Sequence, residues 1–508
     1  MTRARPTAES LLAWGATATG LIGVASALTP EMANRLDLVR GVLPPGVPAA
    51  ARVLTLSFGL ALIWLSRSLA RRRRRAWQLA VAVVFASAVA HLAKGLDFEE
   101  ATLSALLLAA LVAYRRRFDV PGDPRSVRPL AGIAIVAAAA LAIPLGIELH
   151  GAEVSDRIAD AVTAVGVLLG FAALYLWLRP LSHSVVQTVA ERRLAHEIVD
   201  AYGRDSLSFF ALRRDKSFFF SPTRRSFLAY RVVAGTAIVS GDPVGDDGEL
   251  DALVAEFRRV ARLQGWRFAV VGVAAEHLPR YERLGMRSIP LGDEAVVIPS
   301  DFSLEGRAIR KVRQSVSRLT KAGYTFRVVP ADGADRAQID AISDAWRGAN
   351  VERGFSMAMD DLYASGTLFA IADDPDGVAG GFLHLAPSPA RGGWSLSTMR
   401  RRPDTPNGLM EFLIVETALW AKEQGASELS LNFCALTGVR DRRFLGRALL
   451  AADRFFQLER LHSFSRKFGP VWRPRYVCVE KLSDVPLVGL AYLHLEQLLV
   501  PPRVSHSR

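Results

Sequence analysis

The sequence predicts a helical membrane domain of about six spans followed by an α/β region, on three observations. Apolar stretches separated by arginine clusters fill the chain up to about Pro180. Beyond that point strand-like and helix-like segments alternate at ordinary polarity. The segments with unusual chemistry, GDPVG, FSLEG, MRRRPDTPNG and SRKFGP, all fall in this second part. A membrane half that feeds a water-soluble half suits chemistry between a soluble reagent and a lipid.

About 20 apolar residues carry a helix across a bilayer core. The candidate spans are 10–28, 50–70, 77–93, 101–114, 129–147 and 158–178, the fourth being short. Arg3 and Arg5 precede the first span, Arg71–Arg75 follow the second, Arg115–Arg117, Arg125 and Arg128 follow the fourth, and Arg179, Arg192 and Arg193 follow the sixth. The alternate loops carry Glu31 and Asp37, then Asp97, Glu99 and Glu100, then Glu148, Glu153 and Asp156. Basic loops mark the cytoplasmic side, so the reading is a multi-pass plasma-membrane protein with both termini and the soluble region in the cytoplasm. The basic start MTRARPTAES mimics a signal peptide, but no small-residue cleavage site follows it, so the first span is expected to stay uncleaved. No Asp/Glu/His relay lies at mid-depth, which points away from an ion pump.

The chain of 508 residues carries a formal charge of +13. Residues 1–180 hold 19 Lys/Arg against 12 Asp/Glu, leaving 44 against 38 in the remainder. The soluble part is therefore only mildly basic, and a polyanion site must be a local cluster. The two cysteines, Cys434 and Cys478, sit in strand-like runs and read as buried free thiols. No Cys/His spacing suggests a metal site.

Strands are expected at 236–241, 267–273, 295–299, 324–329, 368–373, 378–387, 392–399 and 427–436, with helices at 250–264, 304–322, 337–349 and 408–424. Two stretches of similar length suggest two related units. On the helix at 304–322, Arg307, Arg310, Lys311, Arg318 and Lys321 fall in one stripe about 100° wide, opposite an apolar face. Such a row matches the phosphates of a nucleic acid. In MRRRPDTPNG, Arg400–Arg402 enter a turn built by Pro403, Asp404, Pro406, Asn407 and Gly408, with Glu411 in the first turn of the next helix. An arginine fork and a helix N-terminus both suit a phosphate or a developing oxyanion. GDPVG places Asp242 after a strand, and SRKFGPVWRPRY interleaves Arg466, Lys467, Arg473 and Arg475 with aromatic rings. The apolar segment at 487–500 is too short to span and packs on the domain or lies on the membrane.

SGDPVG, GDEAVVIPSDFSLEG with IRKVRQSVSRLTKAGY, DAWRG, GFSM, MRRRPDTPNGLMEF, LSLNF and RKFGPVWRPRY occur in this order over roughly residues 230–480. Together they resemble the C-terminal catalytic domain of the aminoacyl-phosphatidylglycerol synthases, the multiple peptide resistance factor family. The resemblance implies tandem acetyltransferase-like (GNAT) units at 181–325 and 326–485, after a transmembrane domain at 1–180 and before a C-terminal amphipathic segment and tail at 486–508. It implies transfer of an amino acid, lysine or alanine, from aminoacyl-tRNA to phosphatidylglycerol at the inner leaflet. Aminoacyl-tRNA, phosphatidylglycerol and anionic membrane lipid are then the partners, with room for a homo-oligomer. No cofactor beyond the charged tRNA is expected. About six spans fall short of the longer membrane region with which larger members flip their product.

Within that resemblance Arg400 stabilises an oxyanion or the lipid phosphate. Glu411, Asp242 or Glu294 holds the α-amine or serves as base, and Asn432 fixes a polar group at a strand end. Asn407, Lys467 and Arg475 complete the substrate contacts, and the Arg307–Lys321 row holds tRNA. Ser397 stands where the family carries an acid, three residues before the arginine of its Met-Arg motif. Two other readings remain. Arg443, Gly446 and Ala448 match the R-x-x-G-x-A loop of acetyl-CoA-dependent acyltransferases. A non-catalytic membrane protein that binds lipid or RNA is the other.

Overall fold

Among the described residues of the computed structural model, the N-terminal part holds α1 (Ala8–Leu28), α2 (Val47–Leu69), α3 (Arg74–Gly95) and α4 (Phe98–Ala113). The structure describes residues 7–28, 47–95, 98–120, 177, 185, 187–348, 354–435 and 458–499. It divides into residues 1–182 with 261–266, and residues 183–260 with 267–508. The helices match the first four apolar stretches. The expected spans at 129–147 and 158–178 lie outside the described residues, Trp177 excepted. Among the described residues only α1 is both long and apolar enough to cross a membrane. α4 is the short one, at 16 residues, as its apolar stretch suggests.

Small residues bring α1 and α2 together. A Cβ on Gly20 would lie 2.6 Å from the Gly59 carbonyl oxygen, and one on Gly59 2.7 Å from that of Gly20. Leu12, Ala16, Leu62, Leu65, Ala80 and Leu111 face inward, whereas Trp14, Leu21, Leu60, Trp64, Phe85 and Leu106 are exposed. Large apolar residues turned outward are what a lipid-facing bundle shows. Arg72 donates to Asp119 (2.7 Å) and to the Arg117 carbonyl (3.0 Å), and Glu9 lies within 4.0 Å of Arg117. The start of α1, the α2–α3 turn and the segment after α4 thus share one end, as the alternation of basic loops requires. Gly59→Leu is expected to destabilise the α1–α2 contact by about 1–3 kcal/mol. The check is loss of monodisperse protein after detergent extraction, with outward-facing Leu21→Ala as the unaffected control.

The C-terminal unit is built on one sheet. Its strands are β1 (Ser217–Phe220), β2 (Ser226–Val233), β3 (Thr236–Ser240), β4 (Val244–Gly245), β5 (Arg267–Ala274), β6 (Arg287–Val297), β7 (Thr325–Pro330), β8 (Leu368–Asp373), β9 (Ala379–Ser388), β10 (Gly393–Arg401), β11 (Leu429–Ala435) and β12 (Val471–Val479). The order is β1-β2-β3-β5-β12-β6-β11-β10-β9-β8-β7, with β4 on β2. Each half is an antiparallel run ending in one parallel pair, β3 with β5 and β10 with β11. The strand that closes each half comes from the other: β12 pairs with β5, and β6 with β11. The two expected units therefore share one uninterrupted sheet. Such an exchange is invisible to strand-by-strand reading, because β6 and β12 pair with each other as well as with strands of both halves.

Helices α5 (Val189–Tyr202), α6 (Asp247–Leu263), α7 (Leu278–Arg283), α8 (Arg310–Lys321), α9 (Arg336–Arg347), α10 (Leu409–Glu423), α11 (Leu458–Ser465) and α12 (Val485–Leu495) complete the unit. The α5 start has a capping box, in which the Glu191 amide donates to Thr188 Oγ1 (3.2 Å) and the Thr188 amide to Glu191 (2.8 Å). Asp335 caps α9 through the Ala337 and Gln338 amides. The basic helix starts at Arg310, six residues later than its sequence pattern suggests, because Gly306 (φ 91°) breaks the segment before it. Arg307 is therefore off the helix, a correction to the five-member stripe. The β1–β2 hairpin was not expected. Its signal is SFFF and SFLAY either side of the turn residues Ser221 and Pro222.

Candidate functional site

The β10–β11 parallel pair opens at one end, and the chain lines the opening with its own residues. β10 and β11 pair only at Trp394–Leu429 and Ser395–Ser430. Past that point Ser397 is bulged from the β9 register, and Asn432 takes φ 73°, which asparagine tolerates better than most residues. Asn432 Nδ2 donates to the carbonyls of Leu396 (2.8 Å) and Met357 (2.7 Å), and Ser397 Oγ accepts the Met359 amide (2.9 Å). The GFSM segment is thereby stitched into the gap. In the first half β3 and β5 stay paired through Ser240–Val271, and a Cβ on Gly272 (φ 86°) would lie 2.9 Å from Leu207 Cδ1, so Leu207 packs directly on that glycine.

Glu294 and Arg475 meet at the centre of the sheet. Arg475 Nε donates to Glu294 Oε2 (2.9 Å), Nη1 to Asp205 (2.7 Å) and Nη2 to Ser206 Oγ (2.8 Å). Glu294 Oε1 accepts from Ser430 Oγ (2.6 Å) and Ser206 Oγ (2.5 Å). Burial pushes the Asp205 carboxyl up, but the Arg475 guanidinium outweighs it and holds the group below its ordinary value. The polar atoms of Glu294 and Arg475 thus meet one another and Asp205, Ser206 and Ser430. Asp242 is likewise engaged: Oδ2 accepts the Ala274 amide and Oδ1 the Tyr281 hydroxyl, each at 2.9 Å. Burial raises its carboxyl, and burial beside Asp242 pushes the Tyr281 hydroxyl well up.

The three arginines of MRRRPDTPNG separate in role. Arg400 and Arg401 lie within β10, so the turn begins two residues later than the sequence suggests. Arg401 donates to the carbonyls of Thr405 (3.1 Å) and Pro406 (3.3 Å), and Arg402 to Asp374 (2.9 Å) and Asp404 (3.2 Å). These two build the turn. Arg400 is only 5% exposed and stands opposite Phe382 on β9. Two residues along β9, burial lowers the His384 imidazole to about 3, with Arg400 adding to the effect, so the ring is neutral at physiological pH.

The turn abuts the basic helix. Arg318 donates to the Asn407 carbonyl, and at Gly408 (φ 99°) a Cβ would lie 2.9 Å from Arg318 Nη2 and from Ser315 Cβ. Glu411 pairs with Lys467 (2.8 Å), which fastens the start of α10 to the RKFGP segment. The exposed residues Arg310, Lys311 and Lys321 leave a cationic face beside this junction. Asn407, Arg318, Glu411 and Lys467 are thus brought together, as are Ser397 and Asn432. Cys478 is a buried free thiol, raised to about 12 by burial, as expected. The Cys434 side chain and the loop carrying Arg443, Gly446 and Ala448 lie outside the described residues.

Lys216 and Glu496 are absent from the sequence-based set. Lys216 Nζ is fully buried, donates to the Phe210 carbonyl (2.7 Å) and Ser240 Oγ (2.8 Å), and lies 4.7 Å from the centre of the Phe355 ring. Glu496 accepts from the Phe355 amide (2.7 Å), the Ser356 amide (3.0 Å) and Ser356 Oγ (2.6 Å), fixing GFSM from the far side. Their spacing in sequence carried no signal, since each is a single polar residue whose partners lie far along the chain. Burial, with Arg213 adding, lowers Lys216 to about 7. Between pH 7 and 10.5 the unfolded lysine holds a proton that the folded one has lost. The penalty for burying this group is thus fully present below pH 7 and relieved as pH rises. Stability is expected to rise between pH 7 and 9 by about 1 kcal/mol per unit, as read by urea unfolding, and Lys216→Met should flatten that slope.

The family described as phosphatidylglycerol lysyltransferase, C-terminal, matches residues 196–479. The lysylphosphatidylglycerol biosynthesis bifunctional protein LysX of Mycobacterium ulcerans is 38% identical over 322 residues, 60% of this chain and 29% of that protein. The protein of the same name from Rhodococcus jostii is 34% identical over 345 residues, 64% of this chain and 31% of that protein. The chain thus spans under a third of the length of these curated relatives. The structure of L-PGS from Bacillus licheniformis has the same fold, with TM-score 0.56 and 24% identity over 62% of this chain and 99% of that one. The C-terminal domain of a putative lysylphosphatidylglycerol synthetase from Agrobacterium fabrum aligns with TM-score 0.54 and 27% identity over 61% of this chain and 98% of that one. With the family match covering more than half its length, the chain belongs to the phosphatidylglycerol lysyltransferase C-terminal family.

Proposed function

We propose that the chain transfers an amino acid of the lysine or alanine class from aminoacyl-tRNA to phosphatidylglycerol at the cytoplasmic leaflet. Family membership and the names of the LysX relatives support the lipid acceptor. The observation that carries the tRNA donor is the cationic face of α8 abutting the turn that follows Arg400 through the Arg318–Asn407 contact. The reaction exchanges one ester for another. A glycerol hydroxyl of the lipid attacks the aminoacyl carbonyl, the tetrahedral oxyanion collapses, and the ribose hydroxyl leaves with the proton. Neither nucleotide nor metal is consumed. Catalysis then rests on positioning and on stabilising the oxyanion. Arg400 serves the oxyanion or the lipid phosphate, and neutral His384 on the adjacent strand adds no competing positive charge. The Glu411–Lys467 pair and Asn407 border the tRNA end. Asn432 and Ser397 hold GFSM against the opened strands.

The multi-pass arrangement belongs to the same reading, with the arginine-bearing end of α1–α4 on the cytoplasmic side. An acetyl-CoA-dependent reaction draws no support from the opened β10–β11 pair, whose edges hold the Met357 carbonyl and the Met359 amide.

The test is lipid extraction and mass analysis of cells that express the chain. An aminoacylated phosphatidylglycerol is expected, and its absence in several hosts would remove the reading. Arg310→Glu with Lys311→Glu is expected to lower transfer about tenfold or more by raising KM for tRNA, with a flatter dependence on salt than the parent. An unchanged KM for tRNA would detach the α8 face from the donor.

A further inference from the structure

Helix α12 buries Val488, Ala491, Tyr492 and Leu495 against the domain and leaves Leu487 (44%) and Leu490 (53%) exposed on its other side. Leu482 and Leu499, at 62% and 49% exposed, flank the helix in sequence. A water-soluble surface does not need four outward leucines in one short segment.

We propose that this face docks on an anionic lipid bilayer and that docking sets the GFSM segment in place. This rests on the reading given under Proposed function and names a second lipid contact for the same enzyme. Charge decides the occupant. Exposed Lys481 precedes the helix and exposed His494 closes it, while Arg503 and Arg508 follow in a tail without acids. The acids around the face are already engaged: Glu480 pairs with Arg258 (2.7 Å), Asp484 with Arg267 (3.5 Å), and Glu496 is buried. Exposed leucines beside Lys481, with Glu480, Asp484 and Glu496 already engaged, fit an anionic interface. Helix α1 is long and apolar enough to cross a bilayer. The link to the site is Glu496, one residue past α12, whose carboxylate holds the Phe355 and Ser356 amides. Those residues adjoin Met357 and Met359, which line the β10–β11 opening.

The test uses the full chain in nanodiscs of phosphatidylcholine with or without phosphatidylglycerol. A nitroxide is placed at Leu487→Cys or Leu490→Cys in a Cys434→Ala background, leaving buried Cys478 in place. With phosphatidylglycerol present, both labels are expected to relax at least about threefold more with oxygen than with a water-soluble nickel complex. A label at Val378→Cys, exposed on the β8–β9 turn, is the aqueous control. Labels that match this control, or that gain nothing from phosphatidylglycerol, would overturn the docking. Dipolar broadening between labels would assign the face to a second copy and also overturn it. Glu496→Gln is expected to keep docking but lower transfer about tenfold, and full transfer would overturn the coupling. Oxygen-favoured labels in a chain that makes no aminoacylated lipid would uphold docking while removing the enzymatic reading.

Discussion

Arg475→Met is expected to leave the C-terminal unit close to unfolded. The guanidinium is 2% exposed and neutralises two carboxylates, Glu294 and Asp205, while donating to the Gly272 carbonyl and Ser206. A methionine fills much the same volume but leaves both carboxylates without their cation. Removing one partner of a buried pair costs about 3–5 kcal/mol, a large share of what a domain of this size holds in reserve. The location adds to the effect, since Arg475 is on β12 and Glu294 on β6, the strands exchanged between halves. Urea unfolding followed by tryptophan fluorescence is the measurement. The deficit should shrink on acidification, because burial without a cation raises a carboxylate's pKa and a protonated carboxyl tolerates the site. Adding Glu294→Gln and Asp205→Asn should recover part of the loss at neutral pH. A single variant as stable as the parent would show that the network contributes little.

Arg400→Lys is expected to lower transfer by about a hundredfold or more with the fold retained. Lysine keeps the charge but loses the planar fork, so a bidentate partner in the transition state is lost while charge balance inside β10 survives. Arg401 and Arg402 give the contrast. Their donors are engaged with Thr405, Pro406, Asp374 and Asp404, so Arg402→Lys should act on thermal stability and leave kcat within a few-fold. Steady-state kinetics with lipid and charged tRNA varied separately are decisive. A loss confined to KM would make Arg400 a binding residue, and equal activity for Arg400→Lys would remove it from the chemistry.

Much of the architecture was legible from local signals. The strand at 368–373 and the helices near 250–264 and 408–424 stood out through periodicity, because each packs one face on a core with its own neighbours in sequence. The exchange of β6 and β12 was not legible, since it is a pairing between strands far apart in the chain. Arg307 was misplaced because a helical wheel assumes a helix, and Gly306 ends that assumption. Among site residues, the arginines of MRRRPDTPNG were visible as a cluster, but their division into one buried side chain and two turn-builders was not. Asp242, Glu294 and Arg475 were visible as charges in distinctive segments. Only the fold shows that Glu294 and Arg475 satisfy one another.

By itself the sequence determined the order of parts: apolar helices with basic loops, an α/β region, a cationic helix and a set of motifs. Each is a property of residues close together along the chain, where charge, hydropathy and turn chemistry act directly. The tertiary structure decided which polar groups remain available. It spent Glu294, Arg475 and Asp242 on internal hydrogen bonds, brought Lys216 and Glu496 to the GFSM segment, and set the α8 cations beside the turn after Arg400. Burial makes that decision, because a charge removed from water must find its partners wherever the folded backbone places them.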